Sequence, residues 1–188
     1  MLYSFNSNEK ISIKGFLSIS KCEISLTRIT AFIGPQAAGK SVVVKLIYFC
    51  REYLEDFFRL AANTDFSLKE FKEGKLKSLF SLFKGLNEFD KTFSVRYDFG
   101  GLFVEITKGK PNHQIKFSHS GEMNRIGTFL RRRYTKYISD LATTRGRNLG
   151  LSIYEFMESD DELTAFYSAL PSTLFVRGST LDRRRMKL

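Results

Sequence analysis

Apolar residues change their spacing several times along the chain, and each change marks a predicted element. Between residues 11 and 33, Ile, Leu and Phe recur at short spacing, broken at Gly15, in the runs SIKGFLSIS, CEISL and TRITAFI. This pattern predicts two or three strands. Over residues 41–61 the period lengthens. Val43, Leu46, Ile47, Cys50, Leu54, Phe57 and Phe58 then follow the i, i+3, i+4, i+7 rule of an amphipathic helix. A second helix is expected over 68–83, with Lys72, Lys75, Lys77 and Lys84 on a solvated face. Residues 92–99 and 102–108 alternate as a hairpin about Gly100 and Gly101, and 114–117 offers a further strand. Residues 122–144 read as a helix whose apolar face is Ile126, Phe129, Leu130, Tyr134, Tyr137, Ile138 and Leu141, with Arg131, Arg132 and Lys136 pointing elsewhere. A short acidic helix over 160–169 stops before Pro171, and STLFV at 172–176 predicts a last strand.

Composition narrows the class. The 188 residues are 43% hydrophobic, 14% aromatic and 27% charged, enough for one domain with a buried core, which excludes a disordered or collagen-like chain. A formal net charge of +10 and a pI near 9.6 favour polyanionic partners, nucleotide phosphates or nucleic acid. The basic groups concentrate in residues 121–147 and in the tail after residue 176. Cys22 and Cys50 form no metal-binding or disulfide pattern. No apolar run is long enough to span a membrane, and the N-terminus lacks the basic-then-apolar order of a secretory signal, so a cytoplasmic, reduced protein without a membrane partner is expected.

The chemistry sits in eight consecutive residues. Gly34, Pro35, Gln36, Ala37, Ala38, Gly39, Lys40 and Ser41 match the phosphate-binding loop GxxxxGK[ST], the Walker A motif. TRITAFI runs into the loop and the first helix runs out of it, the strand, loop, helix order on which the motif depends. Backbone N–H groups must converge on a phosphate at the first turn of a helix, and bulky side chains would obstruct them. Gly34 and Gly39 allow positive φ and close approach, and Ala37 and Ala38 keep the loop small. Lys40 is the expected contact to the β- and γ-phosphates of ATP and the catalytic candidate. The Ser41 hydroxyl is the expected Mg²⁺ ligand, and Val42 ends the phosphate cradle.

The stretch IKGFLSISKCEISLTRITAFIGPQAAGKSVVVKLI resembles the N-terminus of ABC-type ATPases of the SMC, RecF and overcoming-lysogenization-defect kind, sometimes labelled AAA-type ATPases in bacterial defence. Gln36 stands where that group commonly has Asn. The resemblance implies an α/β P-loop NTPase fold, specifically an ABC-type N-terminal lobe with an antiparallel β element. It also implies a homodimer closed through a nucleotide sandwich, and it makes Phe16 a candidate base contact beside its reading as a core residue. The lobe would cover residues 1–188, with the loop at 34–41, a β/α insertion at 92–147, and a strand and basic tail at 172–188.

Two parts of that family's machinery are not found. Asp98, Asp140 and Asp160 do not end apolar runs, so no Walker B strand is read. Ser120, Gly121 and Glu122 have the local look of a signature turn, but the following segment has the wrong character, and Ser118 or Ser120 reads as a helix N-cap. Gln114 is a candidate metal-sensing residue, and His113 and His119 read as exposed polar residues. The chain is therefore expected to be an incomplete ATPase, the nucleotide-sensing N-terminal part of a longer DNA-maintenance or anti-phage protein, hydrolysing slowly by itself. The competing expectation is a basic nucleic-acid-binding or adaptor module with a vestigial loop, contacting phosphates through Arg131, Arg132 and Arg133 or through Arg183, Arg184 and Arg185. A small-molecule kinase with an arginine-rich lid is a third.

Overall fold

The computed structural model describes residues 8–27, 30–110, 113–145, 156 and 161–170. The expected strand at 172–176, Asp160 and the arginines of the tail lie outside the described residues. Strands β1 (Glu9–Phe16), β2 (Ile19–Leu26), β3 (Phe93–Phe99), β4 (Leu102–Lys108) and β5 (Lys116–His119) form one sheet in the order β2-β1-β3-β4-β5. Every neighbouring pair is antiparallel, which makes this a mixed α/β fold on a five-stranded antiparallel sheet. The segment 92–147 contributes β3, β4 and β5 to the same sheet as β1.

Two hairpin turns are legible from their residues. Gly100 and Gly101 both take positive φ, 53° and 87°, between the paired Phe99 and Leu102, as a two-residue turn compatible with strand twist requires. The β1–β2 turn is Leu17–Ser18, and there Leu17 adopts φ 49°.

The described residues of the expected strand TRITAFI do not form a strand. Thr27 and residues 30–33 lie outside any strand, and Ile33 is 94% exposed. Local competition for the backbone explains the break: the Thr27 amide donates to Thr30 Oγ1 at 3.1 Å, and that hydroxyl donates back to the Thr27 carbonyl at 3.4 Å. The last predicted strand is also shifted, from 114–117 to Lys116–His119, because Phe117 is the residue that turns inward, onto Phe49 and Tyr53.

Helix α1 (Lys40–Ala61) packs across the inner face of the sheet. Ile11, Ile13, Val95, Tyr97, Val104 and Ile106 are fully buried on alternate strand positions, beside Leu46, Cys50, Tyr53 and Leu54 of the helix. Burial pushes the Cys50 thiol far above its ordinary pKa, leaving it an inert core group. One polar tie fixes the helix on the sheet. Arg51 grips Glu9 of β1 with Nε at 2.7 Å and Nη2 at 2.8 Å, and the Tyr97 hydroxyl of β3 donates to the same carboxylate. A bidentate guanidinium–carboxylate pair sets both position and rotation of the helix.

Helix α2 (Leu68–Leu82) opens on Ser67, whose hydroxyl accepts from the Glu70 amide at 3.4 Å. Its expected solvated lysine face needs correction at Lys75, which is 4% exposed. Phe71, Lys75 and Leu79 share the inward stripe, and α1 offers counter-charges there, Glu52 at 3.0 Å and Asp56 at 2.7 Å. Helix α3 (Gly121–Arg145) buries Met123, Ile126 and Leu130. Phe129, expected on that face, is 40% exposed, since the face is rotated towards Gly127. A Cβ there would lie 3.0 Å from that of Ala61, so glycine lets α3 lie directly on α1. Helix α4 (Asp161–Ala169) buries Leu163 and Phe166, the latter edge-on to Phe58.

Candidate nucleotide-binding site

The GPQAAGKS loop leads straight into α1. Gly39 is the helix N-cap with φ 81°, and Ala37 has φ 62°. Gln36 and Ala38 are not in the positive-φ region, so φ alternates in sign from Gln36 to Lys40. Such alternation turns successive N–H groups to one side of the chain, the arrangement called a nest, whose concavity attracts an anion.

The helix end adds to this. No side chain caps α1 and no acidic residue stands in its first turn, whereas α2 has both. The first N–H groups of a 22-residue helix are thus left without a side-chain acceptor at the positive end of its dipole. A cation in that first turn opposes the dipole, yet Lys40 is there. Its ammonium donates to the Gly34 carbonyl at 2.7 Å and also to the Pro35 carbonyl, so it bends back over the loop. Gly34 through Ala38 and Ser41 are exposed, Val42 and Lys40 are half-buried, and Gly39 is buried. Loop N–H groups, the Lys40 ammonium and the exposed Ser41 hydroxyl therefore belong to one open surface, a donor set that fits a phosphate group. Ser41 would supply one oxygen to a Mg²⁺ shell. Among the described residues no group of three or more His, Cys, Asp or Glu side chains is placed to hold a metal.

Sequence reasoning missed the support behind the loop. A Cβ on Gly39 would fall 3.0 Å from Ile19 Cγ1 and 3.4 Å from the Ser18 hydroxyl, so the β1–β2 turn is the wall on which the loop rests. The available signal was the two-residue gap, Leu17–Ser18, between alternating runs.

Other candidates move. Phe16 is fully buried, edge-on to Phe83 at 5.2 Å and to Phe93 at 4.9 Å, which makes it a core residue and removes it as a base contact. His113 is exposed as expected, but His119 is half-buried. Its ring nitrogens face the Tyr53 hydroxyl at 3.2 Å and the Asn124 side-chain oxygen at 2.9 Å, and desolvation holds its pKa below the ordinary value. Neither serine side chain caps α3: the Ser118 hydroxyl donates to Glu105 at 3.2 Å, and the buried Ser120 hydroxyl has no hydrogen-bond partner among the described residues. Arg131, expected to point away, donates to the Ala61 carbonyl at 3.3 Å, and Arg133 pairs with Glu162 at 3.3 Å, which leaves Arg132 as the exposed member of that run. Gln114 is exposed and lines a cavity of about 380 Å³ with His113 and Lys108. A larger cavity, about 440 Å³, lies between α1 and α2 around Lys75, Phe66 and Phe71. Neither of these two cavities includes a loop residue, and the exposure of Gly34 through Ala38 and Ser41 makes the candidate site an open surface. Asp98 sits on the outer face of the sheet, bound by Arg96 at 2.8 Å, and Asp140 is exposed on α3, so neither is beside Ser41 in sequence or on its helix.

No helix among the described residues is long and apolar enough to cross a membrane. No family model, curated protein or solved structure matches the chain.

Proposed function

We propose that the chain is an ATP-binding P-loop domain, with Gly34–Val42 around the phosphates, Lys40 neutralising their charge and Ser41 as the protein's ligand to Mg²⁺. The observation that carries this reading is the uncapped start of α1, where a φ-alternating loop and a lysine meet the positive end of the helix dipole. Such an end is poorly balanced by itself, and a polyphosphate balances it. The reading extends to a nucleotide-sensing N-terminal part of a longer ATPase of the DNA-maintenance or anti-phage kind, acting as a dimer closed through the nucleotide. Its support there is the resemblance around the loop, together with the lack of any apolar run ending in a carboxylate. Bound ATP would turn over slowly, since the sequence holds no apolar run ending in the carboxylate that orients water in that family.

Titration of the folded chain with a fluorescent ATP analogue and Mg²⁺ tests the proposal. Saturable binding is expected, and Lys40→Ala should weaken it about 10- to 100-fold, the effect of one charge-assisted contact of roughly 1.5–3 kcal/mol. Absence of saturable binding by folded protein overturns it.

That none of the described residues 27 and 30–33 lies in a strand favours a second reading, a basic nucleic-acid or adaptor module in which the loop is vestigial. Under that reading Lys40→Ala leaves every ligand affinity unchanged.

A further inference from the structure

The outer face of the sheet carries a charge pattern that the nucleotide site does not use. In antiparallel register Lys21 lies opposite Lys14, Lys14 opposite Ser94, Ser94 opposite Thr107, and Thr107 opposite Lys116. One row of lysines and hydroxyls thus crosses all five strands. At about 4.8 Å per strand it is roughly 19 Å long. None of these five is buried, and the three lysines are exposed.

Directly opposed like charges destabilise a sheet, so the Lys14–Lys21 pair needs a counter-anion. Glu23 on the adjoining row supplies part of it, its carboxylate attracted by Lys21 and Lys14 as well as bonded to Lys10 at 2.5 Å; Asp98 is paired with Arg96 at 2.8 Å, and Glu105 accepts from the Ser118 hydroxyl at 3.2 Å. Among the described residues Lys14, Lys21 and Lys116 make no ion pair. In the adjoining row the Arg96 guanidinium, held by Asp98, lies flat 3.9 Å over the Phe103 ring on the same face.

We propose that this row is a docking track for the phosphodiester backbone of a nucleic-acid strand, laid across the strands of the sheet with Lys21 and Lys14 at one end and Lys116 at the other. Charge complementarity selects the occupant. A row of unpaired ammonium groups separated by hydroxyl donors suits a chain of spaced monoanions, and the overall charge of +10 assists its approach. Ser94 and Thr107 donate to phosphate oxygens between the lysines. The track shares no residue with the GPQAAGKS loop, so substitutions test nucleotide binding and strand binding separately.

The test is fluorescence anisotropy of a labelled single-stranded 20-mer with the full chain between 50 and 200 mM KCl. The chain should bind, and replacing Lys14, Lys21 and Lys116 together by Ala should weaken binding at least about tenfold at the lowest salt. It should also lower the slope of log K against log salt by about 2, three contacts at roughly 0.7 each. Glu23→Gln with Glu105→Gln should tighten binding severalfold, a gain that misfolding does not mimic. Lys40→Ala should have no effect. Circular dichroism and thermal melts establish that each variant is folded. An unchanged affinity in the folded triple variant, a loss produced instead by Arg132→Ala, or binding only to phosphatidylserine vesicles would each overturn the proposal.

Discussion

Gly39 and Ala37 sit two residues apart in the loop, both with positive φ, and exchanging their residue types should move stability in opposite directions. Gly39→Ala places a Cβ on a backbone at φ 81°, which costs an L-residue about 1–2 kcal/mol. That Cβ also meets Ile19 Cγ1 at 3.0 Å and Cδ1 at 3.4 Å, adding roughly 1 kcal/mol if the Ile19 side chain shifts. The smaller conformational freedom of alanine in the unfolded chain returns about 0.4–1 kcal/mol. The net loss is about 1–2 kcal/mol, or roughly 3–8 °C in Tm for a chain of this size. Ala37→Gly removes the strain at φ 62° and gives up the same unfolded-state term, so it should be stabilising by about 0.5 kcal/mol. Urea unfolding read by circular dichroism, with the m-value checked for constancy, measures both. Nucleotide titration of the folded variants should show Gly39→Ala weakened, because the loop has to lift off the β1–β2 turn, and Ala37→Gly close to the parent. If Gly39→Ala matched the parent in stability, or Ala37→Gly lost more than about 1 kcal/mol, the alternating backbone inferred for the loop would be wrong.

Phe16→Ala should lose about 3–4 kcal/mol by emptying the space between Phe83 and Phe93, and Phe16→Leu about 1–1.5, while ATP affinity of the folded leucine variant stays unchanged in the same titration. His119 gives a pH dependence. Burial lowers its folded pKa below the unfolded value, so its contribution is complete above about pH 6.5 and is lost as pH falls through the folded pKa, because the unfolded chain takes up the proton first. Melts from pH 7.5 down to 5 should show this decline, and His119→Gln should flatten it.

How well the sequence announced each part depended on whether neighbours in the chain or partners in space set it. The face of α1 from Val43 to Phe58 and the Gly100–Gly101 hairpin were legible because helical period and positive φ are local properties. So was the loop itself, whose residue types state their own geometry. TRITAFI looked as strand-like as its neighbours, but a strand needs a partner, and Thr27 and Thr30 satisfy each other instead. Lys75 read as surface because nothing nearby in the chain shows that Glu52 and Asp56 wait on the facing helix. Arg131 and Arg133 read as free cations because their acceptors, Ala61 and Glu162, are 70 and 29 residues away.

By itself, then, the sequence determined the helices α1 and α2, the hairpin about Gly100 and Gly101, and a loop whose glycines and lysine suit an anion. Only the tertiary structure decided the pairing β2-β1-β3-β4-β5, the enclosure of Phe16 and the seating of Gly39 on Ile19. It alone also lined up Lys21, Lys14 and Lys116 on one row. The reason is physical: backbone preference acts over a few residues, whereas strand register and charge adjacency arise from contacts between segments that the chain order does not specify.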